Sequence, residues 1–280
     1  MRGRRSICAA FALVIASLLL PDGGNAAERR PLRIATTMSL HESGLLGALL
    51  PGFSDRSGYP IRVVAGPRDA VLEKGRRGEV DLVLVPALDG EPLGRDGLFR
   101  SRTPLLESRM VLVGPKEDPA GVASAKSPED AIARIARLRP PFVSRADGSD
   151  THAREKALFR AAGIDPAARW PGHVRTESGM RASLEVAGQQ RAYILSELAA
   201  FLAVRDRIGL VVLSKPAPSL TEVYWIFQVD PTPFDRPIEI EGAKALERDL
   251  LSPEVQKQIA GFGVDRFGEP VFEIPVDSTR

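Results

Sequence analysis

The sequence predicts an α/β protein of two lobes, each a sheet flanked by helices, with a ligand cleft between them. Short β-rich apolar segments alternate with helix-length segments along most of the 280 residues. The apolar run in "DLVLV" (81–85) is continuous, which is typical of a strand buried on both faces of a parallel sheet. A proline- and glycine-rich stretch, "GPKEDPAG" (114–121), separates two such series, so one α/β unit is interrupted by a second.

The first series begins with the β-rich segment "LRIATT", which is followed by an apolar helix-length segment. Its elements in chain order are a strand at 32–37, a helix at 43–58, a strand at 60–65, a helix at 67–78 and a strand at 80–87. A further strand is predicted from residue 109, and it leaves into the "GPKEDPAG" stretch.

The second series begins with a helix start, because Ser127 is a favoured cap and Pro128 suits the first helical position. The predicted elements that follow are a strand at 141–144, a helix at 151–163, a helix from about Ser178, and strands at 191–195 and 209–213. A strand at 222–229 and helices at 241–251 and 252–262 close the chain.

The N-terminus reads as an export signal covering residues 1–27. Arg2, Arg4 and Arg5 precede the apolar run 7–20, and "PDGGNAA" then breaks the run and offers a small-residue cleavage site. The run has 14 residues, whereas a membrane-spanning helix needs about 20. We therefore expect cleavage rather than a membrane anchor, and a soluble periplasmic protein.

Removal of this segment changes the charge and the cysteine count. Three arginines and one aspartate leave with it, so Lys+Arg falls from 38 to 35, Asp+Glu falls from 36 to 35, and the formal net charge becomes zero. No basic block remains that would favour nucleic acid or an anionic membrane. The only cysteine, Cys8, also leaves, which excludes disulfides, thiolate metal sites and cysteine nucleophiles.

Enzymatic and metal-binding alternatives find little support in the motifs. Asp147, Ser149 and His152 are close in sequence, but adjacency at one helix start does not supply a catalytic triad, and there is no G-x-S-x-G motif. The three histidines lack H-E-x-x-H spacing. We therefore predict no catalytic activity, no metal and no cofactor.

Two strand-to-helix turns share a content of hydroxyl side chains. Helix N-termini present unpaired N–H groups and a partial positive charge, which favour anions, and hydroxyls and a guanidinium add further donors. Either turn alone is adequately explained by helix capping, but one turn in each lobe predicts an anion-binding cleft. The candidates are Thr36, Thr37 and Ser39 in the first turn, and Arg145, Ser149 and Thr151 in the second.

Five segments together resemble the tungstate-binding periplasmic proteins of ABC uptake systems, which are type II periplasmic solute-binding proteins. They are "LRIATTMSLHESGLLGALLPGF", "GEVDLVLVPA", "VLVGPKEDPAG", "PFVSRADGSDTHAREKALFRAAGID" and "SPEVQKQIAGFG". The resemblance implies two lobes that close on a tetrahedral dianion such as tungstate or molybdate. It also implies that the dianion is delivered to a membrane permease driven by an ATPase. We expect the protein to be a monomer.

The family's ligand-contacting positions carry over onto this sequence. The T-T-T-S turn of the family matches Thr36, Thr37 and Ser39, with Met38 in place of the third threonine. The resemblance implies that Arg145 and Thr151 contact the oxyanion. We expect Asp147 to orient the loop or Arg145 rather than to touch a dianion, because like charges repel.

The chain departs from the family pattern at two further places. Gly66-Pro67-Arg68 stands where the family usually has a G-T-G turn. Pro67 removes one N–H donor, and Arg68 offers a new cation. A polar stretch with an arginine is replaced by "ILSELAAFL" (194–202). These changes leave open a different anion, such as phosphate, sulfate or a small carboxylate, and an exported sensor or degenerate scaffold with the same fold.

The predicted domain division follows from the interrupted series. Lobe I comprises residues 28–115 and 216–280, and lobe II comprises residues 116–215. Two chain crossings between lobes make a hinge, and such clefts bind ligands at the carboxyl ends of strands.

Overall fold

The computed structural model describes residues 29–87 and 97–275. The predicted export signal and Cys8 lie outside these residues. Within the described ranges, no helix combines the length and the apolar character that crossing a membrane requires.

The strands alternate with helices from the start of the described chain. The strands are β1 Leu32–Thr37, β2 Ile61–Gly66, β3 Leu82–Pro86, β4 Phe99–Pro115, β5 Phe142–Ser144, β6 His173–Arg175, β7 Tyr193–Glu197, β8 Leu210–Val212, β9 Thr221–Val229 and β10 Phe272–Glu273. The helices are α1 Met38–Glu42, α2 Leu45–Ser57, α3 Arg68–Arg76, α4 Pro128–Leu138, α5 Asp150–Ala161, α6 Met180–Gln190, α7 Leu198–Leu202, α8 Arg205–Ile208, α9 Ile240–Leu250, α10 Pro253–Gly261 and α11 Val264–Phe267.

The strands follow the order β2-β1-β3-β9-β4-β7-β5-β6, and β8 and β10 also pair with β4. β1 is parallel to β2 and β3, and β5 is parallel to β6 and β7. β9 is antiparallel to β3 and β4. Helices flank these strands, which confirms the predicted α/β class.

β4 belongs to both halves of this arrangement. It pairs with β9 up to Arg109, and with β7 and β8 from Met110 onward. The predicted strand began only at 109, which is wrong by ten residues. The missed part, "FRSRTPLLES", lacks a regular apolar–polar alternation. It also contains Pro104, which provides no N–H for the ladder, and the register shifts between Pro104 and Leu106.

The apolar run in β3 is buried at every residue, as predicted. The prediction that β3 lies in a parallel sheet is correct only on one side. β1 runs parallel to β3, but β9 runs antiparallel to it. A continuous apolar run reports burial on both faces, and burial does not depend on the direction of the neighbouring strand.

Strand direction and helix capping together position the turns. β1 and β3 are parallel and so end at one edge, and β5 and β7 end together in the same way. Thr37 caps α1 by accepting a hydrogen bond from the Leu40 N–H, and Ser149 caps α5 by accepting one from the His152 N–H. The hydroxyl turns therefore lie at strand ends, where ligands bind in α/β folds.

Candidate functional site

The two hydroxyl turns meet on one carboxylate, that of Glu197. Ser39 Oγ donates to Glu197 Oε1 at 2.8 Å, and Thr151 Oγ1 donates to the same oxygen. Arg145 Nη1 lies 3.5 Å from it. Three predicted donors, from turns far apart in sequence, thus surround one negatively charged oxygen.

The position of Glu197 explains this convergence. It is the last residue of β7 and the N-cap of α7, but its side chain makes no capping hydrogen bond. Because β5 and β7 are parallel, the turn that follows β5 lies beside it. The residue is only 6 % exposed, and Oε2 has no hydrogen-bond partner in the described part of the chain.

Arg145 is held by its own loop. Its Nε and Nη2 donate to Asp147 Oδ2 at 3.0 and 2.6 Å, while Nη1 lies 3.4 Å from Thr151 Oγ1. Asp147 also accepts hydrogen bonds from the N–H and hydroxyl of Ser149. Burial works to raise the pKa of Asp147, but the Ser149 hydrogen bonds and the Arg145 charge outweigh it and lower the pKa. Asp147 contacts both the loop and Arg145, in keeping with the orienting role expected from its charge.

The remaining hydroxyl candidates have other partners. Thr36 Oγ1 is fully buried and donates to the Leu84 carbonyl at 2.8 Å, so the structure does not bring it to the Glu197 carboxylate. Thr37 Oγ1 lies 2.9 Å from the Tyr224 hydroxyl. Ser149 Oγ donates to Asp147 Oδ1 at 2.6 Å. Successive strand side chains point to opposite faces, which separates Thr36 from Thr37.

Arg68 approaches the second turn from α3. Its Nε donates to the Pro86 carbonyl at 2.8 Å, and its Nη1 lies 3.3 Å from Asp69 Oδ1. Burial raises the pKa of Asp150 to about 6, against the opposing effect of the Arg68 charge and with a further rise from Glu197. Arg68 therefore acts electrostatically on the second turn.

Sequence reasoning missed three acids at this site, Asp150, Glu197 and Glu222. Burial raises the pKa of Glu222 to about 8, although Arg154 lies 3.7 Å from it and opposes the rise. The charges of Asp150 and Glu197 add to that rise. A single glutamate at a strand-to-helix junction in the apolar run "YILSELAAFL" was the available signal for Glu197.

A cavity of about 420 Å³ adjoins Glu197, between α1, α6, α7 and α11. Met38, Ala199 and Ala200 form part of its wall, and the two alanines leave room where larger side chains would intrude. Its charged lining consists of Arg145, Arg181, Arg207 and Arg266 together with Glu42 and Glu197. The excess of arginines favours an anion in the cavity.

Known proteins resemble this chain over most of its length. The PBP superfamily domain matches residues 23–246. The tungstate-binding protein TupA of Peptoclostridium acidaminophilum is 33 % identical, over 85 % of this chain and 84 % of its own. A putative ABC transporter anion-binding protein of Haloferax volcanii is also 33 % identical, over 82 % of this chain and 68 % of its own.

Solved structures agree with the sequence comparisons. The crystal structure of the tungstate ABC transporter from Geobacter sulfurreducens superposes with a TM-score of 0.72 at 33 % identity, covering 84 % of this chain and all of that one. The relatives are binding proteins by name. The chain belongs to the PBP superfamily, with the two-lobed fold of periplasmic binding proteins, and within it to the family of the tungstate-binding proteins.

Proposed function

We propose that this protein is an extracytoplasmic solute-binding protein that captures a tetrahedral oxyanion for an ABC transporter. One observation carries the proposal: Ser39, Thr151 and Arg145 direct their donors at a single anionic oxygen, Glu197 Oε1. A place where two hydroxyls and a guanidinium surround a negatively charged oxygen also suits an oxygen of a bound anion. The relatives that bind tungstate make tungstate and molybdate the first candidates.

The proposed ligand set is narrower than the sequence prediction. Ser39, Arg145 and Thr151 contact the anion, and Thr37 supports the first turn through Tyr224. Ser149 shapes the second turn, and Arg68 supplies positive charge near it. We leave Thr36 out, because its hydroxyl is fully buried and bonds to the Leu84 carbonyl, away from the Glu197 carboxylate.

Capture requires the two lobes to move relative to each other. The chain passes from one set of strands to the other inside β4, between Arg109 and Met110, and returns in the segment 213–220 between β8 and β9. We place the hinge at these two crossings. Closure about them brings Ser39 of lobe I to Thr151 of lobe II.

The family supports the proposed location and partners. The mature protein acts in the periplasm after removal of residues 1–27, and it delivers the anion to a permease and ATPase pair. It holds the anion by hydrogen bonds and charge and performs no chemistry on it.

A thermal-shift panel tests the proposal. The mature protein is heated with tungstate, molybdate, sulfate, phosphate or arsenate, and an anion present at 100 times its Kd adds about 2.7 kcal/mol to the free energy of unfolding. We expect at least one of these anions to raise Tm. If none does at millimolar concentration, the protein is not an oxyanion receptor, and the alternative of a scaffold that kept the fold without this ligand is favoured.

A further inference from the structure

A second cavity, of about 320 Å³, lies at the opposite end of the lobe I strands from the hydroxyl turns. β1 and β2 are parallel, and Arg33 and Arg62, near their starts, line this cavity, whereas Ser39 follows the end of β1. The volume is within the range of about 300–1,000 Å³ that is usual for small-molecule sites. This cavity, which we call the arginine cavity, is therefore separate from the cleft between the lobes.

Basic side chains from distant parts of the chain line the arginine cavity. They come from the start of the described chain, from β2 and from the segment between β9 and α9, so only the fold brings them together. The charged lining consists of the arginines Arg30, Arg33, Arg62 and Arg236 and the acids Asp81 and Glu239. Four positive charges against two negative charges leave a net charge of two.

Asp81 is fully occupied by one of these arginines. Arg33 Nε donates to Asp81 Oδ2 at 3.1 Å, and Arg33 Nη2 donates to Oδ1 at 2.6 Å. The backbone N–H groups of Arg33 and Glu239 also donate to this carboxylate, which is completely buried. A carboxylate has about four acceptor sites. Asp81 therefore neutralises Arg33 and has no acceptor left for another arginine.

The other three arginines have no such partner. Within the described residues, Arg30, Arg62 and Arg236 form no ion pair with an acid, and Arg236 Nε and Nη2 have no hydrogen-bond acceptor. The pKa of Glu79 is lowered mainly by its hydrogen bond from Lys74, with a smaller contribution from the Arg236 charge. Glu79 is thus the partner of Lys74, and the charges of these arginines remain unbalanced.

We propose that the arginine cavity is a second anion site, which takes a small anion with several phosphate groups, such as tripolyphosphate. Guanidinium groups form bidentate hydrogen bonds to phosphate oxygens. Like charges that line one cavity repel each other, and a multivalent anion relieves that repulsion. Unpaired arginines on three separate segments are best satisfied by an anion whose charged oxygens are spread over more than one phosphate group. The site goes beyond the proposed function, because lobe I alone forms it and the cleft takes no part.

Titration calorimetry with tripolyphosphate on the mature protein tests this site. We expect saturable binding that weakens as salt is added, because salt screens exposed charges. Arg62→Gln and Arg236→Gln each remove one donor fork and should raise Kd at least about fivefold. Arg56→Gln is the matched control, because it makes the same charge change in lobe I outside the cavity, where Arg56 pairs with Asp249. It should change Kd by less than about twofold.

Two further measurements separate this site from the cleft and identify the source of the phosphate groups. Arg145→Ala weakens anion binding in the cleft but should leave the Kd of tripolyphosphate within about twofold. Sedimentation with vesicles of phosphatidylglycerol and phosphatidylcholine tests whether lipid headgroups occupy the cavity. Vesicle binding that Arg62→Gln abolishes would support the cavity as a headgroup site, and tripolyphosphate binding without vesicle binding would support a free condensed phosphate.

Two outcomes would overturn the inference while leaving the proposed function intact. The first is that neither tripolyphosphate nor the vesicles bind the wild-type protein. The second is that Arg56→Gln weakens binding as much as Arg62→Gln, which would show attraction to general surface charge instead of a site. Thermal unfolding of each variant without ligand verifies that it is folded, and Arg62 is exposed on β2, so its replacement should leave the fold unchanged.

Discussion

The two hydroxyl turns differ in where their partners come from. The hydroxyls of the first turn pair with distant groups, which are the Leu84 carbonyl, the Tyr224 hydroxyl and the Glu197 carboxylate. The second turn is held mainly by itself, because Asp147 joins Arg145 to the N–H and hydroxyl of Ser149. The first turn is neutral, and the second carries the buried Arg145 charge.

Because of this difference, we expect the two turns to contribute differently to anion binding. The second turn is organised by contacts between neighbours in sequence, so it presents a fixed cation whether the cleft is open or closed. The first turn depends on long-range contacts, and Ser39 reaches Glu197 across 158 residues of sequence. We therefore expect the second turn to provide most of the anion affinity. We expect the first turn to contribute only when the two lobes are closed.

Replacing Arg145 should have the largest effect on binding. Arg145→Ala removes a charge-assisted donor, worth about 1.5–3 kcal/mol, so the Kd of the best anion should rise about 10- to 100-fold by calorimetry. Ser149→Ala is the matched control within the same turn, because its hydroxyl bonds to Asp147 and caps α5. It should lower the free energy of unfolding by about 1 kcal/mol and change Kd little. Similar small losses of affinity in both variants would contradict the role of Arg145.

Replacing Ser39 should reduce anion affinity less than replacing Arg145 does, because Ser39 contributes only when the two lobes are closed. Ser39→Ala removes a hydroxyl that donates to Glu197, and we expect a loss of about 1 kcal/mol in anion affinity. Ser43→Ala serves as the comparison, since Ser43 lines the same cavity but donates to the nearby Leu40 carbonyl. Calorimetry in which Ser43→Ala loses as much affinity as Ser39→Ala would remove the distinction between the turns.

The smallest expected effect concerns the Asp150 charge in the second turn. Burial raises its pKa to about 6, against Arg68 and with Glu197 adding to the rise. Between about pH 4, where an aspartate of the unfolded chain ionises, and pH 6, only the folded state retains the proton, so this group lowers stability as pH rises. The gain in the free energy of unfolding caused by Asp150→Asn should therefore grow from pH 4 to pH 6 and stay constant above pH 6.

Differential scanning calorimetry of the ligand-free protein measures this gain. After allowance for partial solvent screening we expect about 1 kcal/mol, or roughly 2–4 °C in Tm. Asp69→Asn is the control, because Asp69 is also in the first turn of a helix near Arg68 but its side chain is 95 % exposed. A pH-independent gain in Asp150→Asn would contradict burial as the cause.

Sequence patterns predicted the second turn better than the first. The helix after the second turn was predicted to start at 151 and starts at Asp150, whereas the helix after the first turn was predicted to start at 43 and the chain is already helical from Met38. Thr36 and Thr37 were indistinguishable in sequence, and only the sheet decided that Thr36 faces Leu84 and Thr37 faces Tyr224. Glu197 was missed because its hydroxyl partners belong to other strand-to-helix turns, which no local pattern connects to it.

The sequence alone determined the α/β class, most strand and helix positions and the hydroxyl content of both turns. These features depend on apolar periodicity and on hydrogen bonds that span a few residues. Only the tertiary structure decided that β4 joins both sets of strands, and that Ser39, Arg145 and Thr151 meet on Glu197. Strand pairing sets those distances, and it brings together residues whose separation along the chain carries no information about their separation in space.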